Sequence, residues 1–269
     1  MVEEGLLTAL INRLLGHAVA GLFASVGVTV EAEHPIPDFV CTGVLIVLAT
    51  VAFVSWLKPR LSAERPGMAQ QICEMLLTNP MKFGVRDLLD DMIPHGGREF
   101  LAMTGTVGLF VLLCNLISVV PLFNSPTGHP SVPLACALIT FVYFNAMGIA
   151  HHGVGGYAKM FSGTNPWLAP LLFPVEIIST CARVMSLTIR LWANMFSSEL
   201  LYVIFLGMLM LPVQALLTKN AAVAFVLGVF PATIPVAFIG LHIFVAVVQA
   251  FVFTILPAVY LGMAVAEEH

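Results

Sequence analysis

Two apolar runs of about 40 residues each, 170–211 and 221–266, occupy the C-terminal part of this chain and leave it few choices of fold. At about 1.5 Å per residue, each would be about 60 Å long as a continuous helix, twice a hydrocarbon core of about 30 Å. Each is therefore either a pair of short helices or one long helix lying steeply tilted. No charged loop interrupts either run, which favours long, tilted, partly kinked helices, with Pro231, Pro235 and Pro257 as candidate kinks. Composition agrees: 59% of residues are hydrophobic and 10% charged, which places the chain among integral membrane proteins. The expected fold class is an all-α polytopic membrane protein with about five membrane crossings. The last two form a long, steeply tilted helical hairpin about Lys219-Asn220.

Ahead of that hairpin, apolar segments at 39–57, 100–123 and 133–152 read as three single crossings. Residues 6–26 place apolar pairs at helical spacing but interrupt them with Asn12, Arg13 and His17. That pattern suits an amphipathic helix in the interface better than a span. Residues 1–38 are thus expected to form an interfacial segment and 39–269 a single transmembrane domain. Asn124-Ser-Pro-Thr-Gly-His-Pro130 is a turn-rich loop, and 153–168 reads as a connection. The connection 58–99 carries Lys58, Arg60, Arg65, Lys82, Arg86 and Arg98, more than half of the 11 Lys and Arg. The positive-inside rule puts this connection in the cytoplasm and the N-terminus outside, and counting spans then puts the C-terminus in the cytoplasm. Met1-Val-Glu-Glu is acidic where a cleaved signal would be basic, so no signal peptide is expected.

Arg190 breaks the apolar pattern. A cation at that depth costs at least about 2.5–3.5 kcal/mol on insertion scales, and a guanidinium cannot escape by losing its proton. It needs a partner, a water-filled cavity, or both. At 100° per residue, Glu176, Ser179, Arg183, Ser186, Asn194 and Ser197 all fall within about 40° of Arg190's direction. Glu199 points to the opposite side. On the second long helix, His242, Gln249 and Tyr260 share one face. If the hairpin folds about Lys219-Asn220, residues at equal depth have numbers summing to about 440, which pairs Arg190 with Gln249 and Glu199 with His242. Intramembrane serines commonly bond their own helix or a neighbour, and Gln249 fits interhelical packing as well as function. His242 alone fits a satisfied core imidazole, and Arg183 and Glu176 lie near enough to the cytoplasmic end to snorkel. Arg190 and Glu199 are different, because intramembrane charges are rare and line ion or substrate paths.

Other chemistry is absent from the pattern. There is no phosphate loop, and Gly153-Val-Gly-Gly lacks its lysine; there is no HExxH. Cys41, Cys73, Cys114, Cys136 and Cys181 are scattered singly, with no metal-ligand spacing. His151 and His152 sit at a span end as interfacial residues. No cofactor, metal or catalytic group is expected, and a net charge of −4 gives no sign of nucleic-acid binding.

With these residues in view, the chain resembles the a subunit of the F-type ATP synthase, the membrane stator that passes protons to a rotating ring. The resemblance covers most of the chain from His34-Pro-Ile-Pro-Asp onward. It is strongest in Ser186-Leu-Thr-Ile-Arg190-Leu-Trp-Ala-Asn194-Met-Phe-Ser-Ser-Glu199 and from Gln249 to His269, with Asn115-Leu-Ile and Pro174-Val-Glu176 also familial. Trp192-Ala193 stands where the family usually has an aromatic and a glycine, and Met185 replaces a frequent proline. The resemblance implies that Arg190 faces the carboxylates of the rotor c-ring, with Asn194 and Gln249 holding it. It implies that Glu199 and His242 line a half-channel from the outer side, and that Ser186, Arg183 and Glu176 border one to the cytoplasm. It further implies peripheral-stalk b subunits and membrane lipid as partners, ATP chemistry on other subunits, and a bacterial cytoplasmic membrane as location. The proton is favoured over sodium because Glu199 and His242 suit rapid exchange.

Two other readings stay open on sequence. One is a secondary transporter binding an anionic substrate at Arg190, although no repeat relates 39–152 to 170–266. The other is a structural subunit whose polar stripe glues helices together.

Overall fold

The computed structural model describes residues 6–25, 35–63, 65–78, 84–92, 97–120, 123–162, 167–217 and 221–265. These residues contain eight α-helices and no strand: α1 Leu6–Ser25, α2 Asp38–Leu57, α3 Met68–Leu77, α4 Val85–Met92, α5 Leu101–Ile117, α6 Ser131–Ser162, α7 Ala169–Leu217 and α8 Ala221–Val265. Lipid offers backbone groups no hydrogen-bond partner, so a spanning segment must satisfy its N–H and C=O groups internally, as a helix does. Five stretches are long and apolar enough to cross a membrane: Asp38–Arg60, Gly97–Ile117, Ser131–Phe161, Ala169–Leu201 and Ala237–Val265. The fold is thus an all-α polytopic membrane protein. Its exterior is apolar in the way lipid requires; Val44, Leu48, Val51 and Val54 on α2 are all exposed.

The long-helix alternative holds for the C-terminal part. α7 and α8 each run unbroken for more than forty residues, and α8 stays helical through Pro231, Pro235 and Pro257. The Lys219-Asn220 turn, Met1-Val-Glu-Glu and the C-terminal Glu267-Glu268-His269 lie outside the described residues. The third crossing differs from expectation. Instead of giving way to a loop after His152, α6 breaks at Gly153 (φ 70°, ψ 166°) and resumes to Ser162. That backbone conformation is open to glycine and closed to nearly every other residue. The cluster Gly153-Val-Gly-Gly reads as a loop, yet only Gly153 leaves the helical region. Beyond the break, Tyr157 is buried and donates its hydroxyl to Asn145 Oδ1 at 3.0 Å. Its ring fills the space where Gly148 has no side chain.

Several threonines within the spans bond their own helix, and of the stripe's neighbouring serines Ser198 does so too, donating to the Asn194 carbonyl at 2.9 Å. Thr104, Thr140, Thr188 and Thr254 each donate to the carbonyl four residues back. The chain divides into two compact units. One comprises Met1–Val44, Leu113–His129 and Leu191–Val248. Within it, Asn12 clamps Ile36 by two 3.1 Å bonds, amide to carbonyl and backbone N–H to Oδ1. Phe39 stacks on the His129 ring with centroids 4.1 Å apart. The other unit comprises Leu45–Leu112, Pro130–Arg190 and Gln249–His269. Its core joins Leu89, Phe100, Phe144, Tyr157, Ala258, Leu261 and Ala264. In that unit α5 and α8 approach closely, because a Cβ on Gly108 would collide with the Thr254 hydroxyl.

The break in α6 gives a clean test. Gly153 has nothing within 4 Å of a built Cβ, so Gly153→Ala adds no clash and costs only backbone strain. We expect a loss of about 1–3 kcal/mol, read as a lower thermal unfolding midpoint in detergent. Gly155→Ala, equally open but without a positive φ, should hold or raise the midpoint.

Candidate functional site

The polar stripe of α7 is turned away from the chain's own core. Val184, Leu187, Leu191 and Met195 are buried on one side of the helix. Ser186, Arg190 and Ser197 are exposed on the other, with Glu176, Ser179, Arg183 and Asn194 half-buried beside them. Among the described residues Arg190 has no ion pair. A guanidinium that lies in a membrane span and faces away from its own chain must be met by water or by another molecule.

Arg183, Glu176 and Tyr260 come together in the unit that contains Arg190. Arg183 Nη2 pairs with Glu176 Oε1 at 3.2 Å, and the Arg183 guanidinium lies 5.1 Å from the centroid of the Tyr260 ring. A planar guanidinium can serve a carboxylate with its edge and an aromatic ring with its face. Tyr260 in turn packs against Phe144 at 5.8 Å. Gln249 is buried, and its Oε1 has no partner among the described residues. Gln249 is thus held in the protein with an acceptor unused. A buried acceptor of that kind is costly unless water or another group reaches it.

The other unit gathers Glu199 and His242 around the end of α5, and the reason lies in the backbone. A helix leaves its last four carbonyls without intrahelical donors. For α5 these belong to Cys114, Asn115, Leu116 and Ile117. Pro121 has no N–H to offer, and the final turn tightens: Val119 N–H bonds Leu116 O at 3.1 Å and Val120 N–H bonds Ile117 O at 3.0 Å. The Asn115 carbonyl, deprived of Val119, receives the Ser118 hydroxyl at 2.8 Å and lies 3.1 Å from His242 Nε2. The Cys114 carbonyl receives the Ser125 hydroxyl at 2.9 Å. All four are satisfied, and two of them by side chains from outside the helix.

A buried polar chain continues from there. Ser125 Oγ is 2.7 Å from Thr127 Oγ1, which is 2.6 Å from the carboxamide oxygen position of Asn115. Ser125, Thr127 and Asn115 are almost wholly buried. A hydroxyl has one hydrogen, so these contacts are best served with the Asn115 amide turned over: amide N–H to Thr127, Thr127 to Ser125, Ser125 to the Cys114 carbonyl. That orientation also employs the amide nitrogen, otherwise unpartnered. The same loop covers Glu199. A Cβ on Gly128 would lie 2.7 Å from Glu199 Oε1, so the loop backbone lies close against the carboxylate. Glycine at 128 is what lets the loop lie on the acid.

Of Arg190, Glu199, His242, Gln249, Asn194, Ser186, Arg183 and Glu176, which the sequence singles out, the structure brings Arg183 to Glu176. Ser118, Ser125, Thr127 and Tyr157, which the sequence pattern does not single out, enter the polar contacts as well, and Tyr260 meets Arg183. Asn115, a carboxamide inside an apolar span, carried the available signal. Among the described residues no three His, Cys, Asp or Glu side chains gather as metal ligands.

The Asn115 chain predicts a measurable cost. Thr127→Val keeps shape but leaves buried partners unpaired, and should destabilise by about 1–3 kcal/mol in thermal unfolding. An unchanged midpoint would show that water replaces the hydroxyl there.

Comparison with known proteins gives a consistent result. The ATP synthase A chain family matches residues 39–262. A protein of Solibacter usitatus named ATP synthase subunit a is 38% identical over 255 residues, covering 94% of this chain and 96% of its own. The protein of that name from Koribacter versatilis is 36% identical over 263 residues, 97% of each chain. That of Desulfosudis oleivorans is 38% identical over 205 residues, 76% of this chain and 78% of its own.

Proposed function

We propose a function from one premise: this chain belongs to the ATP synthase A chain family and is an integral membrane component of that proton-transporting complex. In our reading it is the stator, itself non-catalytic, that carries protons to and from a ring of small rotor subunits bearing midmembrane carboxylates. Arg190 is the fixed charge that the ring passes. Asn194 and Gln249 steady it. Glu199 and His242 line the half-channel from the outer side, and Ser186, Arg183 and Glu176 border the cytoplasmic one.

The observation that carries this reading is the direction of the α7 stripe. A helix glued within its own chain would turn Arg190 and Ser186 inward, whereas both are exposed and the side packed on the protein is formed by Val184, Leu187, Leu191 and Met195. The order of groups along α7 supports it further. At 1.5 Å per residue, Glu176 precedes Arg190 by about 21 Å and Glu199 follows it by about 14 Å. Acids thus flank the cation on both sides in depth.

The chemistry follows from the price of charge in lipid. A rotor carboxylate that faces hydrocarbon must be neutral. Opposite Arg190 it is favoured ionised, since a nearby cation lowers an acid's pKa. Each carboxylate therefore sheds its proton on one side of Arg190 and is reloaded on the other. The guanidinium holds its own proton and repels others, which closes the direct route between the half-channels. One charge moved through 100 mV yields about 2.3 kcal/mol, and successive transfers turn the ring. The peripheral-stalk b subunits would hold this chain still against that torque. The outer side receives the N-terminus and the cytoplasm the C-terminus, in the bacterial cytoplasmic membrane.

Arg190→Lys in the assembled complex tests the reading. Lysine keeps the charge and loses the planar fork, so proton-coupled ATP synthesis in vesicles should fall at least tenfold, on the order of a lost charged hydrogen bond. Retained coupling with intact assembly would return Arg190 to a packing role. Glu199→Gln should slow proton flux while the complex stays assembled, and unchanged flux would remove Glu199 from the path.

A further inference from the structure

We propose that Ser118 exchanges protons with His242 and is a relay residue of the outer path; this deepens the proposed function and rests on it. The geometry is a triangle. Ser118 Oγ lies 2.8 Å from His242 Nε2 and 2.8 Å from the Asn115 carbonyl, and Nε2 lies 3.1 Å from that same carbonyl. The triangle exists because the tightened end of α5 leaves the Asn115 carbonyl without its usual backbone donor. Among the described residues, Thr104, Thr140, Thr188 and Thr254 each meet only a carbonyl of their own helix, whereas Ser118 also meets an imidazole.

The donors and acceptors define two states. A carbonyl only accepts. When Nε2 carries a proton, it donates toward the Asn115 carbonyl and Ser118 Oγ, and the Ser118 O–H also points to the carbonyl. When Nε2 has lost its proton, its lone pair accepts the Ser118 O–H along the same 2.8 Å contact. Moving between the states transfers one proton. The Ser118 O–H turns from the carbonyl to an adjacent water by rotation about the Cβ–Oγ bond and gives up its proton there, while the imidazolium N–H gives its proton to Ser118 Oγ. Serine ends neutral, the imidazole ends neutral, and the water leaves as hydronium. The reverse sequence reloads His242. The Asn115 carbonyl takes no part in the transfer; it stays in place and offers the hydroxyl its resting partner.

The test compares Ser118→Ala, Ser118→Cys and Ser118→Thr in the complete ATP synthase reconstituted in vesicles, with His242→Ala alongside. ATP-driven proton pumping is measured in H2O and in D2O, with subunit content checked. Ser118→Ala should pump about fivefold more slowly, the loss of one neutral hydrogen bond, and its solvent isotope effect should differ from the parent's. Ser118→Thr, which keeps the hydroxyl, should restore most of the rate. Ser118→Cys, a weak donor, should resemble Ser118→Ala and carries the comparison if alanine impairs assembly. A parent-like rate for Ser118→Ala beside a slow His242→Ala overturns the role of Ser118 alone. So does a Ser118→Thr as slow as Ser118→Ala, or an isotope effect that never changes. A parent-like His242→Ala contradicts the outer path itself.

Discussion

A guanidinium that cannot be neutralised, placed within an apolar span and turned away from its own chain, is the constraint around which this molecule is organised. It explains why α7 has two such different faces. Val184, Leu187, Leu191 and Met195 bury themselves against the protein, while Ser186, Arg190 and Ser197 are left to something outside it. Interior ion pairs commonly serve packing; a lone outward charge in a membrane serves a meeting. The same logic separates Arg190 from Arg183. Arg183 is occupied by Glu176 at its edge and Tyr260 at its face, and so is held within its unit.

The second organising feature is a helix end. Where α5 stops, its carbonyls lack intrahelical donors and take donors from beyond the helix. Ser118 and Ser125 fill two of them, and His242 and the Thr127–Asn115 contact assemble around those fillings. The loop at Gly128 then lies on Glu199. In our reading this makes a proton path out of capping geometry. The stabilising interaction and the functional one share the same atoms, so the path is positioned by the fold and needs no separate scaffold.

The helical architecture was legible because apolar length and charge spacing leave few alternatives in lipid. The stripe on α7 was legible for the same reason: a 3.6-residue period projects directly onto a face. Three features were not. The break at Gly153 looked like a loop because a Gly-rich run signals one, and nothing in the residues distinguishes one left-handed glycine from three. Tyr157's return to Asn145 follows from that break and so was hidden with it. The cluster of Ser118, Ser125 and Thr127 depends on a tightened last turn of α5, a detail of backbone hydrogen bonding that side-chain pattern does not carry. Asn115 alone hinted at it, as a carboxamide with no reason to be in an apolar span.

The central claim is that the outward face of α7 is where the rotor passes. Cysteine cross-linking in the assembled complex measures that directly. Cysteines replacing Ser186 or Ser197 on the stripe, or Leu187 or Leu191 on the buried face, are each paired with a cysteine next to the ring subunit's membrane carboxylate. The account predicts cross-links to the ring from positions 186 and 197 and none from 187 and 191. Ring cross-links from the Leu187 and Leu191 positions, with none from the stripe, would contradict it.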